Sequence, residues 1–503
     1  MKAEEGGIYR SRLRRPMEAE AASYLSSLTE DVEIFEEDVR GTEAHVVMLC
    51  EQGIIGRGDA GKILQALESL RKEWREGKIR LDPERFEDIH ELVEAYIIAQ
   101  TSVEVGGKTH TGRSRNDQVA LDIRLRLRRR LLELWEAVLR LAERLVERAG
   151  EEENTLLLLY THTQQAQVSL LSHLLLAYAD HLLRDLERLE ACYRRVNRCP
   201  LGASAIAGST LPLNRLRTAE LLGFEGLVEN SADAVSGRDF LLEAAASCSI
   251  LMVHLSRMAE DLVLWSSSEF GYVELPDELA SPSSVMPQKK NPCLLELGRA
   301  KAGRVLGLLS ALLSLLKGVP TGYSRDLQEA KPPLWETLNQ TISTVRIFEK
   351  IFEGLKFNRE RMAEAALQSY APAVDLAEAL VKHAGLPLRQ AHRLVGETVR
   401  LALERRVSLR EAYSLLEEAS MKLLGFKPAF PRRLYERYTD PRRLPAERLT
   451  QGSPNPREVK RMLRERRETL KRWRFKLRKL LRNLERAEAM LGREVSKLSK
   501  GKA

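Results

Sequence analysis

Strand-like alternation is scarce in this 503-residue sequence, glycine and proline are sparse, and no long apolar run interrupts it. With 30 Gly and 19 Pro beside 44% hydrophobic and 30% charged residues, collagen-like and disordered compositions are excluded and a helical globular chain is expected. The longest greasy stretch, Val305 to Leu316, is broken by Gly and Ser and flanked by Arg304 and Lys317. It falls short of the ~20 apolar residues that cross a bilayer, so it reads as a buried helix and no membrane partner is expected. Met1 to Arg15 mixes acids and bases without an apolar core, so a secretory signal is unsupported and the cytoplasm is the expected address. The five cysteines (Cys50, Cys192, Cys199, Cys248, Cys293) form an odd set without CxxC or Cys/His metal spacing, so reduced thiols and no metal site are expected.

Net charge is +8, but residues 457–502 hold 18 Lys/Arg against 6 Asp/Glu, leaving the rest at −4. The basicity belongs to the tail. Clustered cations attract phosphates, yet Met462, Leu463, Leu470, Trp473, Phe475, Leu477 and Leu480 offer an apolar side. An amphipathic helix packed on the body is the favoured reading, with a nucleic-acid partner disfavoured.

Glycine breaks at Gly53, Gly56 and Gly58 and the Gly106-Gly107 pair point to an N-terminal helical unit over 1–112. From 113 to 360 the pattern is long helices: Leu131, Leu134, Val138, Leu141 and Leu145 form one apolar stripe. Residues 168–189, 241–265 and 294–316 are apolar around most of their circumference, as helices inside a bundle or at subunit contacts are. Beyond 360, breaks at Pro387, Pro428, Pro431 and Pro441 mark a third helical unit over 361–503, with a basic helix from about Pro456. No internal repeat is visible, and an all-α class with three helical domains is expected.

Four polar runs carry chemistry. Residues 106–118 (Gly-Gly-Lys-Thr-His-Thr-Gly-Arg-Ser-Arg-Asn-Asp-Gln) end where the amphipathic helix starts. Ser114, Arg115 and Asn116 there suit carboxylate binding, or simply cap the helix. Residues 160–167 (Tyr-Thr-His-Thr-Gln-Gln-Ala-Gln) lead into a buried helix; a lone His162 in such a place is more often a satisfied core residue. Residues 281–292 (Ser-Pro-Ser-Ser-Val-Met-Pro-Gln-Lys-Lys-Asn-Pro) read as a loop ending in an N-cap Asn291 with Pro292 at the first helical position. With Lys289 and Lys290 and a helix N-terminus behind it, an anion is stabilised there, although a surface loop has the same look. Glu296, one turn into that helix among leucines, needs a partner or faces solvent. Residues 321–331 offer Tyr323, Gln328 and Lys331 as hydrogen-bonding groups, or form a plain connection.

Together these runs resemble the argininosuccinate lyase family of the fumarase and aspartase superfamily. His-Thr-Gly-Arg-Ser-Arg-Asn-Asp at 110–117 is similar to that family's signature, and Ser-Ser-Val-Met-Pro-Gln-Lys-Lys-Asn-Pro at 283–292 to the superfamily's in its argininosuccinate form. The fumarase version carries Gly-Lys-Val-Asn-Pro at the last five positions. Glu87-Asp88-Ile89-His90, Pro200-Leu201-Gly202 and Asn230-Ser231-Ala232-Asp233 follow in the family's order. The resemblance implies a cofactor-free, metal-free lyase that splits argininosuccinate into arginine and fumarate. It further implies a homotetramer with a twenty-helix core and active sites each built by three subunits. By the same resemblance Ser283 is the base, His162 paired with Glu296 orients substrate or protonates the leaving nitrogen, and Lys289 and Asn291 stabilise the developing charge. Ser27, Ser114, Arg115, Asn116, Thr161, Tyr323, Gln328 and Lys331 bind substrate.

Several positions depart from the pattern. Ile8-Tyr9-Arg10-Ser11-Arg12 stands where the family has Trp-Gly-Gly-Arg, Gly237 where Asp is usual, Ser324-Arg325 for Asn-Lys, Val168 for Pro and Cys293 for Asp. The alternatives are a sister lyase acting on fumarate, aspartate or adenylosuccinate, and an enzyme-derived structural protein of the lens crystallin kind.

Overall fold

A computed structural model describes residues 17–501; the departure at residues 8–12 lies outside them. The expected all-α class holds. Helices α1 (Phe35–Glu51), α2 (Arg57–Arg75) and α3 (Ile89–Gln100) form the N-terminal part. The long helices follow: α4 (Arg115–Glu151), α5 (Leu171–Val196), α6 (Asp239–Trp265), α7 (Cys293–Leu316) and α8 (Lys331–Gly354). Five shorter helices, α9 to α13, come next: Arg359–Gln368, Ala373–Ala384, Leu388–Glu404, Tyr413–Leu424 and Arg432–Thr439. Helix α14 (Pro456–Ser499) is last.

Helix α4 starts because Ser114 and Asp117 close a capping box, each side chain meeting the other's backbone N–H. The stripe of Leu131, Leu134, Val138, Leu141 and Leu145 is fully buried. At 37 residues and 1.5 Å per residue, α4 is about 55 Å long. Its neighbours alternate in direction. The Arg124 guanidinium, near the start of α4, lies over Phe240 at the start of α6 and donates to the Arg195 carbonyl at the end of α5 (2.9 Å). Arg130 meets Asn339, and further along Arg144 meets Glu353, so α8 runs parallel to α4. Arg299 at the start of α7 pairs with Glu260 near the end of α6. Helices α4, α6 and α8 therefore run one way and α5 and α7 the other, giving the bundle two ends.

Helix α6 is long and apolar enough to cross a membrane by length and composition, yet it packs within the bundle against α5, α7 and α8. Helix α7 buries only Leu295, Gly298, Ala302, Val305 and Leu312. Leu297, Leu306 and Leu313 are exposed on it, as are Ile250, Val253 and Leu264 on α6. These apolar side chains are left uncovered by the described residues.

The reading of residues 160–167 as the entry to a helix is corrected. β1 (Leu156–Thr161) and β2 (Gln164–Leu170) form an antiparallel hairpin, from Leu156 opposite Leu170 to Thr161 opposite Gln164, and α5 begins only at Leu171. A run of leucines does not separate strand from buried helix. The turn residues His162 and Thr163 both take positive φ (52° and 56°), the backbone of a tight two-residue hairpin turn without the usual Asn-Gly. Three more short strands sit at the same end of the bundle: β3 (Val273–Glu274), β4 (Ser281–Pro282) and β5 (Lys290–Asn291). β4 pairs with β5, and β3 pairs with β6 (Lys356–Phe357) just after α8.

Helix α14 lies along α4 and α2 rather than with α9–α13. Leu463, Leu470, Trp473, Leu477, Leu484 and Leu491 are buried under it, and Trp473 meets Trp135 of α4 edge-on, ring centres 5.3 Å apart. Trp473→Ala opens a cavity in that seam. It is expected to lower the thermal unfolding midpoint by the equivalent of about 3–5 kcal/mol, whereas Phe475→Ala, at an exposed site one helical step away, leaves the midpoint nearly unchanged.

Candidate functional site

At the first end of the bundle the 110–118 run is held from behind by α1. The His45 ring donates to the Thr111 carbonyl (2.9 Å), and Arg113 donates to the Thr42 hydroxyl (2.9 Å). Gly112 turns the chain at φ +72°, where a Cβ would meet the Leu213 side chain at 2.9 Å. Asp117 accepts from the backbone N–H groups of Ser114 (2.9 Å), Gly202 (3.0 Å) and Ser204 (2.7 Å), tying the loop after α5 to the start of α4. Burial pushes its carboxyl up to about 6, against those three donors, which favour the ionised form. Arg115 pairs with Asp88, and Asn116 donates to the Ala205 carbonyl (3.0 Å).

The same end holds Ser27, Tyr323, Gln328 and Lys331. Ser27 donates to Asp31 (2.7 Å), Lys331 pairs with Asp31 and reaches the Ser27 hydroxyl (3.4 Å), and all three are buried. Gln328 donates to the Leu25 carbonyl (3.3 Å). Arg325 pairs with Glu87, whose carbonyl accepts from the Ser27 N–H (2.9 Å). Tyr323 packs on Ala203, Ala234 and Val235, and burial raises its phenol. Sequence reasoning missed Asp31 and Arg238. The first sits one turn after Ser27, a weak signal. The second is buried, pulled down to about 10 by that burial, with Nε and one Nη lacking partners among the described residues. Its signal is a lone arginine opening the apolar helix α6.

Behind this end lies a fully buried cluster of Asp38, His90 and Asp122, with His90 Nδ1 2.9 Å from Asp38 and 3.4 Å from Asp122. Burial and the Asp38 charge push the Asp122 carboxyl well above the usual range. Against burial, the His90 and Arg113 charges hold Asp38 down at about 2. The three side chains stand behind the start of α4, with the His90 ring between the two carboxylates.

The second end carries Thr161, His162, Ser283, Lys289, Asn291 and Glu296. Thr161 and His162 are exposed at the hairpin tip. Ser283 opens the loop between β4 and β5, and its Oγ accepts from the N–H groups of Val285 (3.3 Å) and Met286 (3.1 Å). Lys290 is locked by Glu274 (2.9 Å) and Asp277 (2.7 Å), while Lys289 is exposed and pairs with no carboxylate among the described residues. The expected cap is corrected: Asn291 lies in β5 opposite Ser281, the helix starts at Cys293, and Pro292 takes the cap position without a side-chain bond. The strand pairing claims the Asn291 backbone that a cap would have used. Glu296 is exposed in the first turn of α7, and within the chain no hydrogen bond or ion pair among the described residues joins it to His162.

Ser114 and Asn116 thus stand at one end of α4 and the hairpin with His162 at the other, separated by that helix's length of about 55 Å. Within one chain the two groups do not meet. An open groove of about 670 Å³ between Asp180 and Arg472 contains none of these residues.

Known proteins match this chain over most of its length. The family described as Lyase matches residues 12–307, and the argininosuccinate lyase C-terminal family matches residues 370–443. The chain is 40% identical to the argininosuccinate lyase of Methanocaldococcus jannaschii, covering 96% of this chain and 98% of that one. It is 43% identical to that of Methanothermobacter thermautotrophicus, covering 89% and 96%. Among solved structures, EDDS lyase in complex with formate superposes with a TM-score of 0.87 at 32% identity, covering 93% and 92%. The class II fumarase of Schistosoma mansoni shares the fold (TM-score 0.69, 17% identity, 86% and 95% covered).

The support behind α4 has a pH signature. Burial holds His45 neutral, its pKa lowered to about 3. A folded value below the unfolded ~6.5 means stability present above pH ~6.5 and lost as pH falls toward 3. Asp117, raised, works with the opposite sign and loses stability as pH rises from about 4 to 6. His45→Gln keeps an N–H for the Thr111 carbonyl. In denaturant titrations between pH 6 and 4 it is expected to reduce the pH slope of stability by about one proton equivalent relative to the parent.

Proposed function

Because the chain belongs to the argininosuccinate lyase family, within the fumarase and aspartase superfamily, we propose that Ser283 is the base and Lys289 the anion clamp of a site shared between copies of the chain. The chain is a carbon–nitrogen lyase that splits argininosuccinate into arginine and fumarate. The observation that carries this is identity of 40% or more to argininosuccinate lyases over nearly the whole length.

The reaction removes a weakly acidic proton from the carbon next to the C–N bond. The electron pair left behind spreads into the adjacent carboxylate, then returns to form the C=C bond as the C–N bond breaks. The leaving guanidino nitrogen takes a proton. Aimed donors help most where charge develops. Two backbone N–H groups on Ser283 Oγ favour its alkoxide form, and Lys289, without a carboxylate partner among the described residues, is available for both that alkoxide and the dianionic carboxylate. Asn291 completes the clamp. His162, at an exposed turn, delivers the proton to nitrogen, oriented by Glu296 of another copy. At the opposite end Ser114, Arg115 and Asn116 hold carboxylate, and Ser27, Tyr323, Gln328 and Lys331, with Thr161 from the hairpin, hold the rest of the substrate.

Bringing the two ends together takes several copies. Five long helices per chain make a twenty-helix core in a tetramer, and the apolar face of α6 and α7 supplies the contact. Three copies contribute to each site, and a cytoplasmic address with reduced thiols belongs to the same reading.

Incubation with argininosuccinate is expected to raise fumarate absorbance; silence there with turnover of malate or adenylosuccinate reverses the assignment. Ser283→Ala is expected to lower kcat by about 10²–10⁴-fold with KM nearly unchanged, and unchanged turnover removes Ser283 from the base role.

A further inference from the structure

Helix α14 uses one face to pack on the body and leaves the other uncommitted. The cations that look inward or sideways are neutralised: Arg466 by Asp180 (2.8 Å), Arg474 by Glu143 and Lys476 by Glu190 (2.8 Å). The outward face is different. Arg464, Arg467, Arg478, Arg482, Arg486 and Arg493 are all exposed, and none has an ion-pair partner among the described residues. At 100° per residue these six fall within one stripe opposite Leu470, Leu477 and Leu491, with Phe475 exposed in its middle. From 464 to 493 the stripe runs about 44 Å: Arg464 and Arg467 stand three residues apart, Arg478, Arg482 and Arg486 four apart, and gaps of eleven and seven residues separate the two groups and Arg493.

We propose that this arginine ridge is a docking surface for the phosphate backbone of a nucleic-acid duplex. Two acids share the stripe, Glu468, which is paired with Lys471, and Glu485, so six exposed arginines on one rigid helix leave a net positive face toward a polyanion. Arginine rather than lysine holds six of the positions, and its planar fork grips phosphate oxygens in pairs. A membrane surface calls for an apolar outer stripe on such a helix, and Phe475 alone does not make one. The rest of the chain carries −4 against the tail's +12, so the attraction is local to the ridge. None of the residues of the proposed lyase site lies on this helix, so duplex binding and turnover are separable.

The test uses the full chain and fluorescein-labelled DNA and RNA duplexes about 20 base pairs long, titrated by anisotropy between roughly 50 and 200 mM salt. The parent chain is expected to bind at low salt, with log K falling against log salt by about 0.9 for each phosphate neutralised. The triple variant Arg478→Gln, Arg482→Gln, Arg486→Gln is expected to lose at least about tenfold in affinity and to flatten that slope by about three. Arg→Lys at the same three positions retains most of the slope. A control with the same loss of charge elsewhere, Arg389→Gln, Arg393→Gln, Arg433→Gln, binds as the parent does. All variants retain the parent's turnover of argininosuccinate, which reports an intact fold. No binding at low salt, equal loss in ridge and control variants, or capture by anionic phosphatidylserine vesicles in place of either duplex overturns the proposal.

Discussion

Helix α4 is a rigid spacer of about 55 Å, and the design of the molecule follows from the two ends it holds apart. Its first turn is fixed by the Ser114–Asp117 capping box and by Asp117 bonds to the loop after α5. Its last turn leads into the β1–β2 hairpin, anchored where Arg359 donates to Glu152 (2.8 and 2.7 Å). Ser114, Arg115 and Asn116 lie at one end, and His162, Ser283 and Lys289 at the other. No closure of a loop spans that distance within a chain, so the proposed site, which draws on both ends, takes more than one copy.

The packing supplies the means. Helices α6 and α7 are apolar on faces that their own chain leaves bare, with Ile250, Val253, Leu297, Leu306 and Leu313 exposed. Fully burying such a side chain is worth roughly 1.5–3 kcal/mol, and covering these half-exposed faces contributes to the proposed contact between copies. Alternating helix direction places both kinds of end on each chain, and the proposed symmetric assembly sets one copy's first end beside another's second. Helix α14 braces this arrangement from outside: its Trp473 locks onto Trp135 in the middle of α4, and the Gln65 amide on α2 donates to the Ser499 carbonyl (2.6 Å) near the chain's end.

Much of this was legible in the sequence because long amphipathic and all-apolar helices announce themselves by period. The Leu131 to Leu145 stripe, the start of α4 at its Ser-Arg-Asn-Asp cap and the start of the basic helix at Pro456 all came from local pattern. The hairpin did not, because Leu156 to Tyr160 has no alternation, and its turn is made by His162 and Thr163 in place of glycine. The Asn291 cap failed for a related reason: pairing between β4 and β5, set by residues ten apart, outranks a local capping preference. Asp31, Asp122 and Arg238 are defined by what surrounds them in space, which spacing along a chain does not encode. The union of Ser27, Tyr323, Gln328 and Lys331 in one place was available only through family resemblance.

The central claim, that each working site draws on more than one copy, is tested most directly by complementation. Ser283→Ala and Asn116→Ala chains, each inactive alone, are mixed under mild denaturant, allowed to exchange subunits and assayed with argininosuccinate. Sites assembled from different copies predict recovery of about a quarter of parental turnover, since random reassortment gives that share of sites an intact residue of each kind. Full exchange, verified by mass, with no recovery at all contradicts the account.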